Sequence, residues 1–225
     1  MITIKRGKEP NSLLKFRKEN PDADYESDMP TDVLKDIREQ MWEEQRCLCA
    51  YCMKKIEAPS VVRIEHYRPR HPQDEQEHDK KATLDFKWML GVCYGNSLVR
   101  GVKPEDKTCD AHRGNTELTV NPFDEMSVRK IKYKADGSIY SEDAEINKDV
   151  TETLNLNCQA LSLPQTRKNV LMAEKNRIMR KCKGKSQDAF MRELERTYIS
   201  LVQERNLTPY CGIIISWLES KLKIS

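Results

Sequence analysis

Cys49-Ala-Tyr-Cys52 and, 12 residues further on, the Glu65-His66 pair of Arg63-Ile-Glu-His66 decide how this chain reads. A C-x-x-C pair offers two thiolates at the bite of a zinc knuckle, and a structural zinc closes its shell with four ligands. Cys93 and Cys109 lie downstream and supply the second half of a four-thiolate site, although the 15 residues 94–108 separate them where a knuckle usually has two. That polar loop can bulge outward while its ends converge on the metal. Cys47 stands too close to Cys49 for good ligand spacing and reads as a packing thiol; Cys158, Cys182 and Cys211 read as core thiols.

The rest of the composition sets the frame. Of 225 residues, 33% are charged and 38% hydrophobic, so a small core with surface helices is expected rather than one extended core. The net charge of +3, from 39 basic and 36 acidic side chains, is too small to argue nucleic-acid binding from totals. The opening MITIKRGKEP has no apolar targeting core, so the eight cysteines point to a reducing cytoplasm and metal-bound thiolates rather than to secreted disulfides. The apolar run Ile213–Leu218 is far too short to span a bilayer, and no membrane partner is expected.

The fold class is read as α+β. Residues 2–6 alternate like a short strand, and Thr31-Asp32 offers an N-cap to a helix running towards Gln45, with Val33, Ile37 and Met41 at i, i+4 and i+8. Residues 46–124 carry only short elements, too little to fold without a zinc staple. A β-hairpin is expected over 127–140, turning at Asp136-Gly137. Beyond Asp143 the pattern turns helical, with long helices over 165–183 and 186–204. Two units follow: 1–145, zinc-centred with an N-terminal helical lead-in, and 146–225, a helical part suited to partner binding.

His66 is the leading catalytic candidate, because a neutral imidazole can take a proton from water. Glu65 points the other way along a strand, yet a twisted hairpin lets its carboxylate reach a divalent ion. Arg63, Arg68, Arg70 and His71, interleaved with Tyr67, form a basic cluster suited to backbone phosphates. The stretch from Gln73 to Lys81 is expected to be an exposed charged loop.

The run CAYC…RIEHYRPR…LDFKWMLGVCYGN…CDAHRG…NPFD, with Thr151-Glu-Thr-Leu-Asn-Leu-Asn157 beyond it, resembles the HNH-type endonucleases of the Septu and retron-associated antiphage systems. The resemblance covers roughly residues 1–170. It implies a zinc-stapled ββα-metal core that cleaves phosphodiester bonds in nucleic acid, DNA above RNA. His66 then matches the general base, Glu65 and Asp110 the ligands of a catalytic Mg²⁺ or Mn²⁺, and Arg113 joins Arg63, Arg68 and Arg70 as a phosphate contact. His112 could touch the metal or a phosphate. It also implies a companion ATPase that gates the nuclease and, in retron-linked versions, a reverse transcriptase with its RNA–DNA product. One departure stands out: Trp88-Met89-Leu90 occupies the place of the Asn that braces the His loop, leaving Asn96 as a substitute brace. The alternative reading is a zinc-stapled adaptor that binds nucleic acid or a partner without cutting.

Overall fold

The computed structural model describes residues 1–71, 80–203 and 207–224. Three helices come first: α1 (Asn11–Glu19), α2 (Tyr25–Asp28) and α3 (Thr31–Glu44). Helix α3 buries Val33, Ile37 and Met41, the stripe its spacing predicts, and Pro30 precedes its first turn. Residues 2–6 do not form the expected strand. Their one ladder-like bond, from Ile4 N–H to the Pro122 carbonyl at 2.9 Å, is isolated, so the segment is extended but unpaired along its length.

At the end of α3 the buried side chain of Gln45 joins three segments. Its amide donates to the Gly91 carbonyl at 2.6 Å and the Leu48 carbonyl at 2.9 Å, and accepts from Gly91 N–H at 2.7 Å. Ala50 N–H adds a bond to the same Gly91 carbonyl at 3.1 Å. The C-x-x-C turn is thereby fastened to a strand far away in sequence. Strand β1 (Arg63–His66) pairs antiparallel with β2 (Met89–Val92), in the register Arg63↔Val92 and His66↔Met89. A short helix α4 (Lys80–Thr83) lies between them in the chain, and α5 (Asp110–Arg113) begins directly after Cys109. Most of the stretch 73–81 lies outside the described residues.

The second hairpin is shorter than expected. Val128 belongs to helix α6 (Glu125–Arg129), because Asp124 caps that helix by accepting from Met126 N–H at 3.0 Å. Strands β3 (Ile131–Tyr133) and β4 (Ile139–Ser141) follow, turning through Gly137 at φ +89°. Helix α7 (Ala144–Lys148) widens into a π-helical turn, Asp149–Thr153. Three long helices complete the chain: α8 (Leu163–Cys182), α9 (Gln187–Gln203) and α10 (Gly212–Leu222). The expected helix 186–204 is α9, its last expected residue falling outside the described ones; the run Ile213–Leu218 is the body of α10. No described helix is long and apolar enough to cross a membrane.

Two clusters of buried side chains organise the molecule. The first gathers Ile37 and Met41, the knuckle, both hairpins, and Val150, Leu154 and Leu156. The second lies among α8, α9 and α10 but takes in Leu48 and Met53 from the flanks of the knuckle. Apart from the knuckle, which serves both, the buried members of the first core run to Leu156 and those of the second begin at Leu171.

Candidate metal centre and adjoining cleft

Cys49, Cys52, Cys93 and Cys109 converge so that their sulfurs all lie within 4.8 Å of one another. Cys49 and Cys109 are 3.8 Å apart, Cys52 and Cys93 3.7 Å, and Cys93 and Cys109 3.8 Å. A tetrahedron of Zn–S bonds of about 2.3 Å has edges of about 3.8 Å, so the sulfurs stand where one zinc needs them. They are too far apart for disulfides, and all eight cysteines are free. Burial pushes the Cys109 thiol well up, so a cation is what would make four thiolates tolerable here.

Each ligand has its own local support. Cys49 accepts its place from a tight turn in which Cys49 N–H donates to the Lys54 carbonyl and Met53 N–H to the Cys49 carbonyl. Lys54 N–H points at Cys52 Sγ at 3.4 Å, the amide-to-sulfur bond that stabilises a thiolate. Cys109 sits at φ +57°, and its N–H donates to the Leu154 carbonyl at 2.9 Å. The hydroxyl of Thr108 donates to the same carbonyl, and His112 Nδ1 to that of Thr153 at 3.0 Å. Leu154, the residue that ends the π-helical turn, thus presents the carbonyl that holds the fourth ligand in a strained backbone conformation. The long loop 94–108 closes on itself: Thr108 N–H reaches the Gly95 carbonyl at 3.1 Å, and Asn96 Nδ2 the Asp106 carbonyl at 3.0 Å. Asn96 therefore braces this loop, not the one around His66.

Beside the knuckle lies a cleft of about 330 Å³, whose lining includes Arg63, Glu65, His66, Arg70, Lys107 and Asp110. Glu65 is buried and accepts from Tyr51 Oη at 3.1 Å and from the Arg113 guanidinium. Burial, with the charge of Asp110 beside it, pushes Glu65 up to about 8 even against the pull of Arg113. Asp110, also buried, pairs with Arg63 at 2.6 Å. The two carboxyl groups thus meet although they come from different elements, β1 and α5. Among the described residues the four cysteines alone form a converging set of three or more metal-ligating side chains, so His66 does not join Glu65 and Asp110 around a common point.

His66 is buried, with Nε2 2.9 Å from the Thr83 carbonyl and the ring of Tyr25 edge-on at 4.4 Å between centroids. A carbonyl only accepts, so Nε2 carries the hydrogen and the lone pair is left on Nδ1. Burial lowers its pKa to about 4, the Thr83 carbonyl opposing. The ring is neutral at pH 7.

Trp88, standing where an Asn was expected, contributes differently. Its carbonyl accepts from Tyr67 N–H at 2.8 Å, its indole stacks on Tyr67 at 6.1 Å, and the Arg68 guanidinium lies 4.1 Å above it. The chain just after His66 is therefore held by a backbone bond and aromatic packing instead of an Asn amide.

The basic candidates separate. Arg68 is exposed, whereas Arg70 pairs with Glu26 and Arg63 with Asp110. Arg113 is a correction to the expected phosphate contacts: it is 3% exposed and gives its donors to Glu65, Tyr51 Oη and the carbonyls of His66, Tyr67 and Thr116. Sequence reasoning passed over Tyr51, Tyr25 and Thr83. Tyr51 had a signal, being inside the C-x-x-C itself; the other two touch His66 only through the fold. No family model matches this chain, and no curated protein matches it.

Proposed function

We propose that the chain is a metal-dependent HNH-type endonuclease, a phosphodiester hydrolase whose cysteines hold a structural zinc. The observation that carries this reading is that Glu65, His66 and Asp110 line one cleft, the first two from β1 and the third from the short helix that starts just after the last cysteine. The antiparallel pair β1–β2 with the short helix α5 after it supports the ββα arrangement that the resemblance implies.

Asp110 and Glu65, the latter once an arriving cation has displaced its proton, would offer adjacent hard oxygen donors, which suit Mg²⁺ or Mn²⁺ with water and phosphate oxygens completing the shell. Such an ion would neutralise charge on the phosphate and on the departing oxygen. His66 Nδ1 takes a proton from water, the resulting hydroxide attacks phosphorus, and the P–O bond to the leaving sugar oxygen breaks. Thr83 keeps the imidazole in the tautomer that does this. Arg63 would release Asp110 when a divalent ion arrives and turn to the phosphate. Restriction to an antiphage role, gating by a companion ATPase and association with a reverse transcriptase rest on the resemblance alone.

A second reading has one observation in its favour: both carboxyl groups are engaged by arginines, as in an adaptor that keeps the frame without cutting. The two readings part on supercoiled plasmid. Wild type and His66→Ala, matched for zinc content, are incubated with Mg²⁺ or Mn²⁺. The nuclease reading expects nicking that requires the added ion and falls at least about a hundredfold in the variant. Equal binding by both proteins with no cleavage, in the presence of the companion ATPase as well, would favour the adaptor.

A further inference from the structure

The loop between the third and fourth cysteines displays two aliphatic side chains to water: Leu98 is 74% exposed and Val99 55%. Its tip is built, not slack. Ser97 N–H and Oγ both bond the Tyr94 carbonyl, at 2.8 and 2.6 Å, and Val99 N–H bonds the Asn96 carbonyl at 3.2 Å. Gly95, at φ +53°, lies so close to the Thr108 carbonyl that a Cβ there would fall 2.0 Å from it. A rigid loop that holds apolar side chains outward gains nothing from the fold for doing so.

Position and charge name the occupant. Ser97, the residue before Leu98, lines the cleft together with His66, Asp110 and Lys107. Arg100 and Lys103 flank the apolar tip. Arg63 and Arg70 are spent on Asp110 and Glu26, whereas no ion pair engages Arg100, Lys103 or Lys107 among the described residues. Apolar side chains set among unpaired cations at the mouth of a cleft suit a polyanion with an apolar interior reachable through a groove. Duplex DNA is such a partner, because aliphatic wedges enter its minor groove, part a base step and kink the helix.

We propose that Leu98 and Val99 form a wedge that enters the minor groove of duplex DNA and unstacks a base step, with Arg100, Lys103 and Lys107 holding the flanking phosphates. The kink brings one backbone into the cleft beside His66. This deepens the nuclease reading by naming its substrate as double-stranded DNA, and it rests on that reading for the role of the cleft.

The test uses the full chain, zinc-loaded and without added Mg²⁺ or Mn²⁺, with short DNA and RNA duplexes carrying 2-aminopurine. Wild type is expected to raise 2-aminopurine fluorescence in the DNA duplex and not in the RNA duplex, whose minor groove is wide and shallow. The exposed double variant Leu98→Ser/Val99→Ser, with unchanged zinc content and circular dichroism, is expected to lose that rise and to bind about tenfold more weakly. A DNA complex with no rise, a rise that survives in the double variant, a preference for the RNA duplex, or no DNA binding at all would each overturn the wedge. Plasmid cleavage separates the two ideas: cutting without unstacking sinks the wedge and leaves the nuclease, while unstacking without cutting does the reverse.

Discussion

At the scale of single residues, the site depends on one buried guanidinium. Arg113 bonds Glu65 and Tyr51 and three backbone carbonyls around β1, so it fixes both the candidate acid and the strand that carries His66. Removing it leaves several buried acceptors without a donor. Arg113→Ala is expected to cost roughly 3–5 kcal/mol in urea denaturation. A loss below about 0.5 kcal/mol, the size of an ordinary surface substitution, would return Arg113 to the surface and to the phosphate contacts. His66 makes a sharper prediction. Its folded pKa, about 4, lies below the ordinary 6.5, so its share of stability is present above 6.5 and is lost as pH falls through 4. Nitrogen-resolved NMR of the imidazoles at about pH 5.5 should find His66 neutral, where a free imidazole is mostly charged. A charged ring there would mean that it is open to water and that Thr83 does not set its tautomer.

Between elements, the turn joining β3 and β4 presses directly on the start of α8. Arg167, buried on α8, donates to the Gly137 carbonyl at 2.9 Å and to the Leu156 carbonyl at 2.5 Å. A Cβ at Gly137 would fall 2.0 Å from the Pro164 carbonyl, and its φ of +89° is one that residues with a side chain rarely adopt. Gly137→Ala should therefore destabilise the protein by roughly 1–3 kcal/mol, read as a lower urea midpoint. An unchanged midpoint would mean that α8 does not press on this turn. What was legible in the sequence follows the same division. Local signals held: the C-x-x-C turn, the Asp-Gly hairpin turn, and the stripe of α3. Helix α1 escaped because it is only nine residues long, too short a window for its apolar pair Leu13 and Phe16 to stand out as a repeat. The strand expected over 2–6 had the right alternation but no partner strand. Val128 has a strand former's side chain, yet the Asp124 cap drew it into a helix.

Over the whole molecule, the four-cysteine knuckle is where the two cores meet. Leu48 and Met53 pack with α8–α10, Tyr210 N–H bonds the Met53 carbonyl at 3.0 Å, and Arg46 reaches the Val202 carbonyl at 2.9 Å. A cut at residue 145 would strip Val150, Leu154 and Leu156 from the first core and take away the carbonyl that holds Cys109. The fragment 1–145 is accordingly expected to lose zinc and to unfold without cooperativity, seen by metal analysis and thermal melting. A fragment that keeps stoichiometric zinc and melts sharply would show that residues 1–145 fold as a unit of their own. Long-range pairings of this kind left no trace in the sequence, since neither Leu48 nor Leu154 looks unlike any other buried leucine. The meeting of Glu65 with Asp110 was legible only through the resemblance.

Cys49, Cys52, Cys93 and Cys109, whose sulfurs converge beside the cleft, are where one zinc ion is proposed to sit. X-ray absorption at the zinc edge of the purified chain measures that shell directly. The account predicts one zinc per chain with four sulfur neighbours at about 2.3 Å and no nitrogen or oxygen, lost on Cys93→Ser and kept on Cys47→Ser. A mixed sulfur and nitrogen shell, or a folded chain without zinc, would contradict it.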